Sequence, residues 1–277
     1  MGDTFILPSI GVMQGRLLPE RLDTLQLFPS TNWRNEPNVA SELGFDDFEL
    51  LYDKGKKLLD ILAVEGNKKS LGLSVDVSPN VMRSCSVCLD FLAAIPTTQE
   101  KEFFDELQSA MRLFGNTNVE TLVVPFCDQS EISDLDGLRA VLKMLDDRGL
   151  EVLASDSGLQ LALELTLPAD MLLEGFSVHN FTNIGICFDM GNIRSSGLRP
   201  ENDILELDGL VRHVHIKDRC VGGPNVMLGQ GDVDFETCFK ALKDINYKGR
   251  YIMETRYFND PIKEASANLN YLKGRIG

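Results

Sequence analysis

Positive charge is scarce in this sequence: 27 Lys and Arg stand against 42 Asp and Glu, a formal net charge of −15. Such a surface repels phosphate backbones, and no basic stripe offsets it, so no nucleic-acid partner is expected. Long hydrophobic runs are missing too. No stretch approaches the roughly 20 consecutive apolar residues that a membrane helix needs, and no membrane association is expected. The opening, MGDTFILPSIGVMQGR, has no basic n-region and no small-residue cleavage site, so a signal peptide is not expected. Gly2 lacks a myristoylation context, because that motif needs Ser or Thr where Ile6 stands. The expected compartment is the cytoplasm. Of six cysteines, only Cys85 and Cys88 form a C-x-x-C, and no second such pair or Cys-His pair completes a zinc site. That pair is read as incidental.

What is present is a repeated alternation of short apolar runs and amphipathic segments over 277 residues, the usual length of one α/β barrel. The apolar runs predict strands at Ile6–Met13, Phe45–Leu51, Leu71–Val77, Glu120–Pro125, Leu159–Leu165, Ile184–Asp189, Val211–Lys217 and Tyr251–Glu254. Helical periodicity lies between them, at Gln99–Phe114, Leu135–Arg148, Pro168–Gly175, Glu201–Leu207, Phe235–Ile245 and Pro261–Lys273. Pro168 and Pro261 sit where a first helical turn tolerates proline, and Gly115 and Gly149 follow helical runs as C-terminal caps would.

Eight strands alternating with helices make a parallel α/β protein, and eight is a number that closes. The competitor, an open doubly wound sheet, usually carries G-x-G-x-x-G after its first strand, where this chain reads GVMQGR. The expected fold is a single (β/α)8 TIM barrel spanning 1–277, because no linker, charge block or low-complexity tract divides the chain. The long segment Leu17–Asn38, which holds the only Trp, Trp33, follows the first strand and reads either as a lid or as a packed surface loop.

Functional residues of such barrels lie at the C-terminal ends of the strands. The last four strands end in Glu164, Asp189, His215 and Glu254. Each alone reads as a helix cap or an ion-pair partner. Together they point elsewhere, since ionised carboxylates among apolar residues lose their hydration and a shared divalent cation offsets that cost for all of them. Three carboxylates and one imidazole suit Mn²⁺ first, with Mg²⁺, Co²⁺ or Zn²⁺ as alternatives. A second tier of substrate-binding candidates comprises Gln14, Arg16, Glu49, Asn192, Lys217, Arg219 and Arg256. The basic members either bind phosphate or sugar oxygens or merely neutralise the carboxylates. Lys217, two residues after His215, shares its face. In GQGDVDF, Gly229–Phe235, the glycines either bring N–H groups to a ligand or form a tight turn before a helix capped by Asp234. His179 and His213 receive no role.

Through GVMQGRL, FELL, ALEL, CFDMGN, HVHIKD, GQGDVDF and YIMET, the sequence resembles the xylose-isomerase-like barrel superfamily along nearly its whole length. Within it, the chain is similar to the sugar isomerase/epimerase group that includes the D-tagatose 3-epimerases. The resemblance implies a Glu-Asp-His-Glu metal site at Glu164, Asp189, His215 and Glu254, the two glutamates doubling as acid/base groups. Many relatives have His three residues after the sixth-strand Asp, where this chain has Asn192. An epimerase-type substrate contact comes from an Arg after the seventh-strand His, and Arg219 is the nearest candidate.

The expected activity is metal-dependent isomerisation or epimerisation of a ketose or ketose phosphate, by proton abstraction through a metal-stabilised enediolate. A metal-dependent dehydratase or aldolase on a related polyol or keto-sugar is the alternative, as is a non-catalytic sugar-binding barrel. A phosphodiesterase like the AP endonucleases of the superfamily would need several histidines, and the chain has three. The expected partner is a small-molecule sugar or sugar phosphate, and a homodimer is compatible with the sequence.

Overall fold

The structure, a computed structural model, describes residues 8–19, 33–54, 84–115 and 117–276. Eight parallel strands close into a barrel: β1 (Ile10–Met13), β2 (Asp47–Leu51), β3 (Ser86–Cys88), β4 (Thr121–Pro125), β5 (Gln160–Glu164), β6 (Ile184–Asp189), β7 (Val211–Ile216) and β10 (Tyr251–Met253). Each strand pairs with its neighbours in chain order, and β10 closes against β1 with Gly11 opposite Ile252. Between β7 and β10 a two-stranded antiparallel ribbon, β8 (Asp218–Arg219) and β9 (Asn225–Val226), rises from the C-terminal rim.

Successive strand side chains face opposite ways. One set, exemplified by Leu161, Leu163, Ile184, Ile186 and Val214, joins the core shared with the helices. The other points into the barrel, where Met13, Leu51, Cys88, Val123, Ala162, Cys187 and Ile252 form a separate buried cluster. Two-residue steps along β5, β6 and β7 then lead from Ala162 to Glu164, from Cys187 to Asp189 and from His213 to His215. The same apolar layer that fills the barrel therefore sets the level at which polar groups emerge.

The helices follow their periodicity. Glu100–Phe114 buries Phe103, Phe104, Leu107, Ala110, Met111 and Phe114 along one stripe. Leu135–Asp147 begins at Asp134, whose carboxylate accepts from Gly137 N at 2.8 Å. Gly149 takes a positive φ of 64° and leads at once into the helix Leu150–Ser157, which the sequence reading left out. Gly115 differs from its expected left-handed cap: its φ is −63°, and an added Cβ would stand 2.6 Å from that of Ser157. It is small because the end of the helix Leu150–Ser157 packs there.

The third strand needs correcting. Leu71–Val77 lies outside the described residues, and the third barrel strand is Ser86–Cys88, paired with β2 and β4. At three residues, SVC, it is too short for a strand period to register in the sequence. Ile184–Asp189 keeps its expected bounds, and the other strands shift at one or both ends by one to a few residues. Of the segment Leu17–Asn38, residues 20–32 lie outside the described residues. Its end is tied down by Glu36, whose carboxylate accepts from Gly15 N and Leu17 N, each at 2.9 Å.

Candidate metal centre

Glu164 ends β5, Asp189 ends β6, His215 lies one residue before the end of β7, and Glu254 follows β10 directly. Asp189 is the ladder neighbour of His215, which in turn neighbours Ile252. Closure thus brings Glu254 against His215 from the other side. One ligating atom from each of the four lies within 4.8 Å of those of the other three. His215 Nδ1 is 3.1 Å from Glu254 Oε2, 3.8 Å from Glu164 Oε2 and 4.0 Å from Asp189 Oδ2.

That nitrogen is fully buried and makes no hydrogen bond of regular geometry among the described residues, an arrangement native proteins avoid unless something else engages the atom. A cation does so. Bonds of about 2.0–2.2 Å from N and O donors place those donors roughly 3–3.5 Å apart, the scale of the distances around Nδ1. Asp189 divides its labour: Oδ1 accepts from Asn192 N at 2.7 Å and caps the helix Met190–Ser195, leaving Oδ2 for the centre. The residues therefore fit a divalent cation held by three oxygens and one nitrogen.

Lys217 enters the same cluster, with Nζ 2.8 Å from Asp189 Oδ2 and 3.0 Å from Glu254 Oε2. It passes over Gly191, where a Cβ would stand 2.5 Å from Lys217 Cγ. Arg16 Nη2 lies 3.4 Å from Glu254 Oε1. Burial opposes the ionised form of Glu254, but Lys217, His215 and Arg16 outweigh it and hold the group well below the usual carboxylate range. Glu164 goes the other way: burial pushes its carboxyl up to about 7, against the pull of His215 and Lys217. Its side chain keeps 13% exposure, against 1% for Glu254, so Glu164 is the more accessible of the two.

The second-tier residues divide. Asn192 lies at the centre: Nδ2 donates to Glu164 Oε1 at 3.0 Å, and Oδ1 accepts from Arg219 Nη1 at 3.1 Å. Arg219 is itself held by Gly223 O. Gln14 is buried, with Oε1 accepting from Leu51 N at 3.0 Å and Nε2 lacking a partner among the described residues. Arg256 lies with its guanidinium 5.9 Å from the Phe258 ring. Glu49 is not at the mouth. It stands behind His215 in the barrel, fully buried, with Oε1 2.9 Å from His215 Nε2 and Oε2 2.7 Å from His213 Nε2. The two imidazoles outweigh burial and keep Glu49 well below the usual carboxylate range. His213, given no role from sequence, is thus the second partner of that carboxylate.

The structure selects the second of the two readings of GQGDVDF and adds one residue, Asp90, to the site. The backbone N–H groups of Gly229 and Gly231 are spent on Asp218 Oδ2, at 2.8 and 2.9 Å, so GQGDVDF is a turn latched to β8. Asp234 caps the helix Phe235–Asp244 through Thr237 N. Asp90, just past β3, was missed because the third strand was placed too early. Burial and the nearby Glu254 push its carboxyl up to about 6, with Arg16 opposing. The signal was there, in an apolar run, SVCL, that ends on an acid.

The model of the xylose isomerase-like TIM barrel family matches residues 37–275. The chain belongs to that family. A curated relative of this xylose isomerase-like chain, the L-ribulose-5-phosphate 3-epimerase UlaE of Salmonella heidelberg (strain SL476), is 25% identical over 263 residues, covering 88% of this chain and 90% of the relative. By that kinship the xylose isomerase-like protein described here is an enzyme. Among solved structures, D-psicose 3-epimerase with D-tagatose from Clostridium cellulolyticum H10 matches with a TM-score of 0.66 at 13% identity, covering 97% of this chain and 99% of that one. The IOLI protein with a bound zinc atom matches with a TM-score of 0.69 at 16% identity, covering 96% and 99%. Among the described residues, no helix is long and apolar enough to cross a membrane.

Proposed function

We propose that this protein is a metal-dependent epimerase or isomerase of a ketose or ketose phosphate, with Glu164 and Glu254 as its acid/base pair. The observation that carries the reading is the convergence of Glu164, Asp189, His215 and Glu254 on one buried point. The sugar-phosphate epimerase UlaE and the zinc atom of the IOLI protein support it. The four residues would hold one divalent ion, Mn²⁺ first on the chemistry of an oxygen-rich donor set. When bound, the ion supplies Lewis-acid withdrawal of the charge that develops on the sugar's carbonyl and adjacent hydroxyl oxygens.

The proton work belongs to the glutamates. Glu164 and Glu254 approach the centre from strands on opposite sides of β6 and β7. One carboxylate takes the proton from the carbon beside the carbonyl, and the other returns a proton to the opposite face, inverting that carbon. Return to the neighbouring carbon gives isomerisation. Glu164, near neutrality and partly accessible, suits both halves of this exchange, while Glu254 is kept ionised by Lys217 and Arg16.

Glu164→Gln and Glu254→Gln decide the matter in D₂O with a panel of ketoses and ketose phosphates. Each variant loses turnover by about 10²–10⁴-fold or more, the usual cost of a missing general base. One still washes deuterium into one epimer, and the other into the opposite epimer. Near-wild-type epimerisation by either variant means that the glutamates are ligands only. Exchange confined to the same epimer in both means that a different single base acts, and Lys217 is then the residue to test.

A further inference from the structure

Glu49 hydrogen-bonds both barrel histidines, His213 and His215. It reaches from β2 across the barrel, 166 residues away in sequence from His215, and spends one carboxylate oxygen on each imidazole. Its position is over-determined. Its backbone carbonyl accepts from Gln14 N at 2.8 Å, and its side chain is closed off from solvent. His213 sits one layer deeper than His215, at the edge of a polar cavity of about 550 Å³ at the foot of the barrel.

The chemistry of this triad is directional. A carboxylate only accepts, so both imidazoles must present Nε2–H to it. A neutral imidazole with its proton on Nε2 has its lone pair on Nδ1. In His215 that is the nitrogen facing Glu164, Asp189 and Glu254. The carboxylate therefore settles which nitrogen of His215 can bind a cation, and it aims the ring. His213 holds the second oxygen, so the carboxylate cannot rotate away from His215.

We propose that Glu49, locked by His213, is the positioning residue that presents Nδ1 of His215 to the metal. The inference rests on the metal reading above, and it assigns to Glu49 a role distinct from substrate contact. Partners of this kind on ligating histidines typically contribute about 10–100-fold to metal affinity. An amide at position 49 would break the logic, because it accepts at one atom and donates at the other. One of the two imidazoles must then offer a lone pair at Nε2 and carry its proton on Nδ1. When that imidazole is His215, the proton occupies the atom meant for the metal.

The test uses the 277-residue chain labelled with ¹⁵N-histidine, which has three imidazoles to assign. Zn²⁺ serves as the diamagnetic probe, with affinity measured by competition against a chelator of known strength. In the wild-type chain, His213 and His215 should both show a protonated, hydrogen-bonded Nε2, and Zn²⁺ should shift Nδ1 of His215 alone. Glu49→Gln should lose roughly 10–100-fold in Zn²⁺ affinity and show an Nδ1–H tautomer at one of the two rings. His213→Gln keeps a donor for Glu49 Oε2, so it should hold Zn²⁺ affinity within about threefold and leave the His215 tautomer unchanged. Should Glu49→Gln not fold, the wild-type spectrum still decides, since a His215 whose Nε2 carries no proton or a Zn²⁺-shifted Nε2 overturns the assignment. Equal Zn²⁺ affinity in wild type and Glu49→Gln, with the Nδ1–H tautomer on His215 in the metal-free variant, overturns it while leaving the metal site standing. A wild-type chain that takes up no Zn²⁺ or Mn²⁺ overturns both.

Discussion

Lys217 Nζ lies 3.0 Å from Glu254 Oε2, and both side chains are almost wholly buried. The same ammonium is 2.8 Å from Asp189 Oδ2, so one lysine compensates two of the acids that the metal would share. Burial works against its charge, yet Asp189, Glu254 and Glu164 outweigh it and raise it further above the ordinary lysine value. Removing one partner of such a cluster costs more than the pair is worth, because a buried charge is left uncompensated.

Lys217→Met should therefore destabilise the metal-free protein by about 3–5 kcal/mol. Divalent metal should recover much of that loss, since the cation takes over the compensation. Thermal melts of wild type and variant in EDTA and in excess Mn²⁺ check this. An equal drop under both conditions would mean that Lys217 supports packing alone.

Metal should raise the apparent stability of the wild-type chain, as any ligand of the folded state does; a ligand at 100 times its Kd contributes about 2.7 kcal/mol. One ion per chain is expected by metal analysis, and chelation should reverse the shift. His215→Ala should weaken Mn²⁺ binding at least 100-fold, beyond the roughly 10–100-fold expected for a residue that only supports a ligand. His179→Ala is the control, because His179 pairs with Asp146 and stacks on Phe181 away from the centre. Equal calorimetric affinities for the two variants would reject the ligand set.

Asn192 spends its amide on Glu164 and on Arg219, so its effect should pass through Glu164. A hydrogen bond to a charged group contributes about 1.5–3 kcal/mol, and Asn192→Leu should lower kcat by roughly 10–100-fold. KM should stay within about threefold if the residue orients the carboxylate. A rise in KM at constant kcat would place Asn192 on the substrate.

Asp203, in the helix Pro200–Glu206, has a buried Oδ2 without a hydrogen-bond partner among the described residues. Burial first, then Glu206, Glu201 and Asp170, push its carboxyl up to about 6 from 3.8. The folded state thus binds the proton more tightly than the unfolded chain does. Wild-type stability from this group is greatest below the unfolded pKa and falls as pH rises through the folded one. Because the side chain is only half-buried, the penalty at neutral pH is discounted to about 1 kcal/mol. Asp203→Asn should recover it near neutrality and offer no gain below about pH 4. Urea melts across pH check the crossover, and a gain independent of pH would refute it.

Much of the centre was legible in one dimension. A strand alternates with period two, and a parallel barrel strand is apolar on its outer side, so an acid or histidine at a strand end stands out against its run. Glu164, Asp189, His215 and Glu254 each interrupt such a run. Their common level follows from the barrel, which brings every strand end to one rim. The third strand escaped because three residues are too few for a period to register.

The sequence by itself determined the barrel, the rim and the four side chains that converge there, because these depend on periodicity within each strand and helix. Only the tertiary structure decided which atoms those side chains turn toward one another. Glu49 meets His213 across 164 residues, Asn192 meets Glu164 across 28, and Asp218 takes the N–H groups of a loop 11 and 13 residues on. Lys217 likewise became the counter-charge of Asp189 and Glu254. Such contacts depend on which strands are neighbours, on their register and on the sealing of β10 against β1. No local period encodes them, since they arise when closure removes water from a ring of charged groups and leaves each to find a partner among the others.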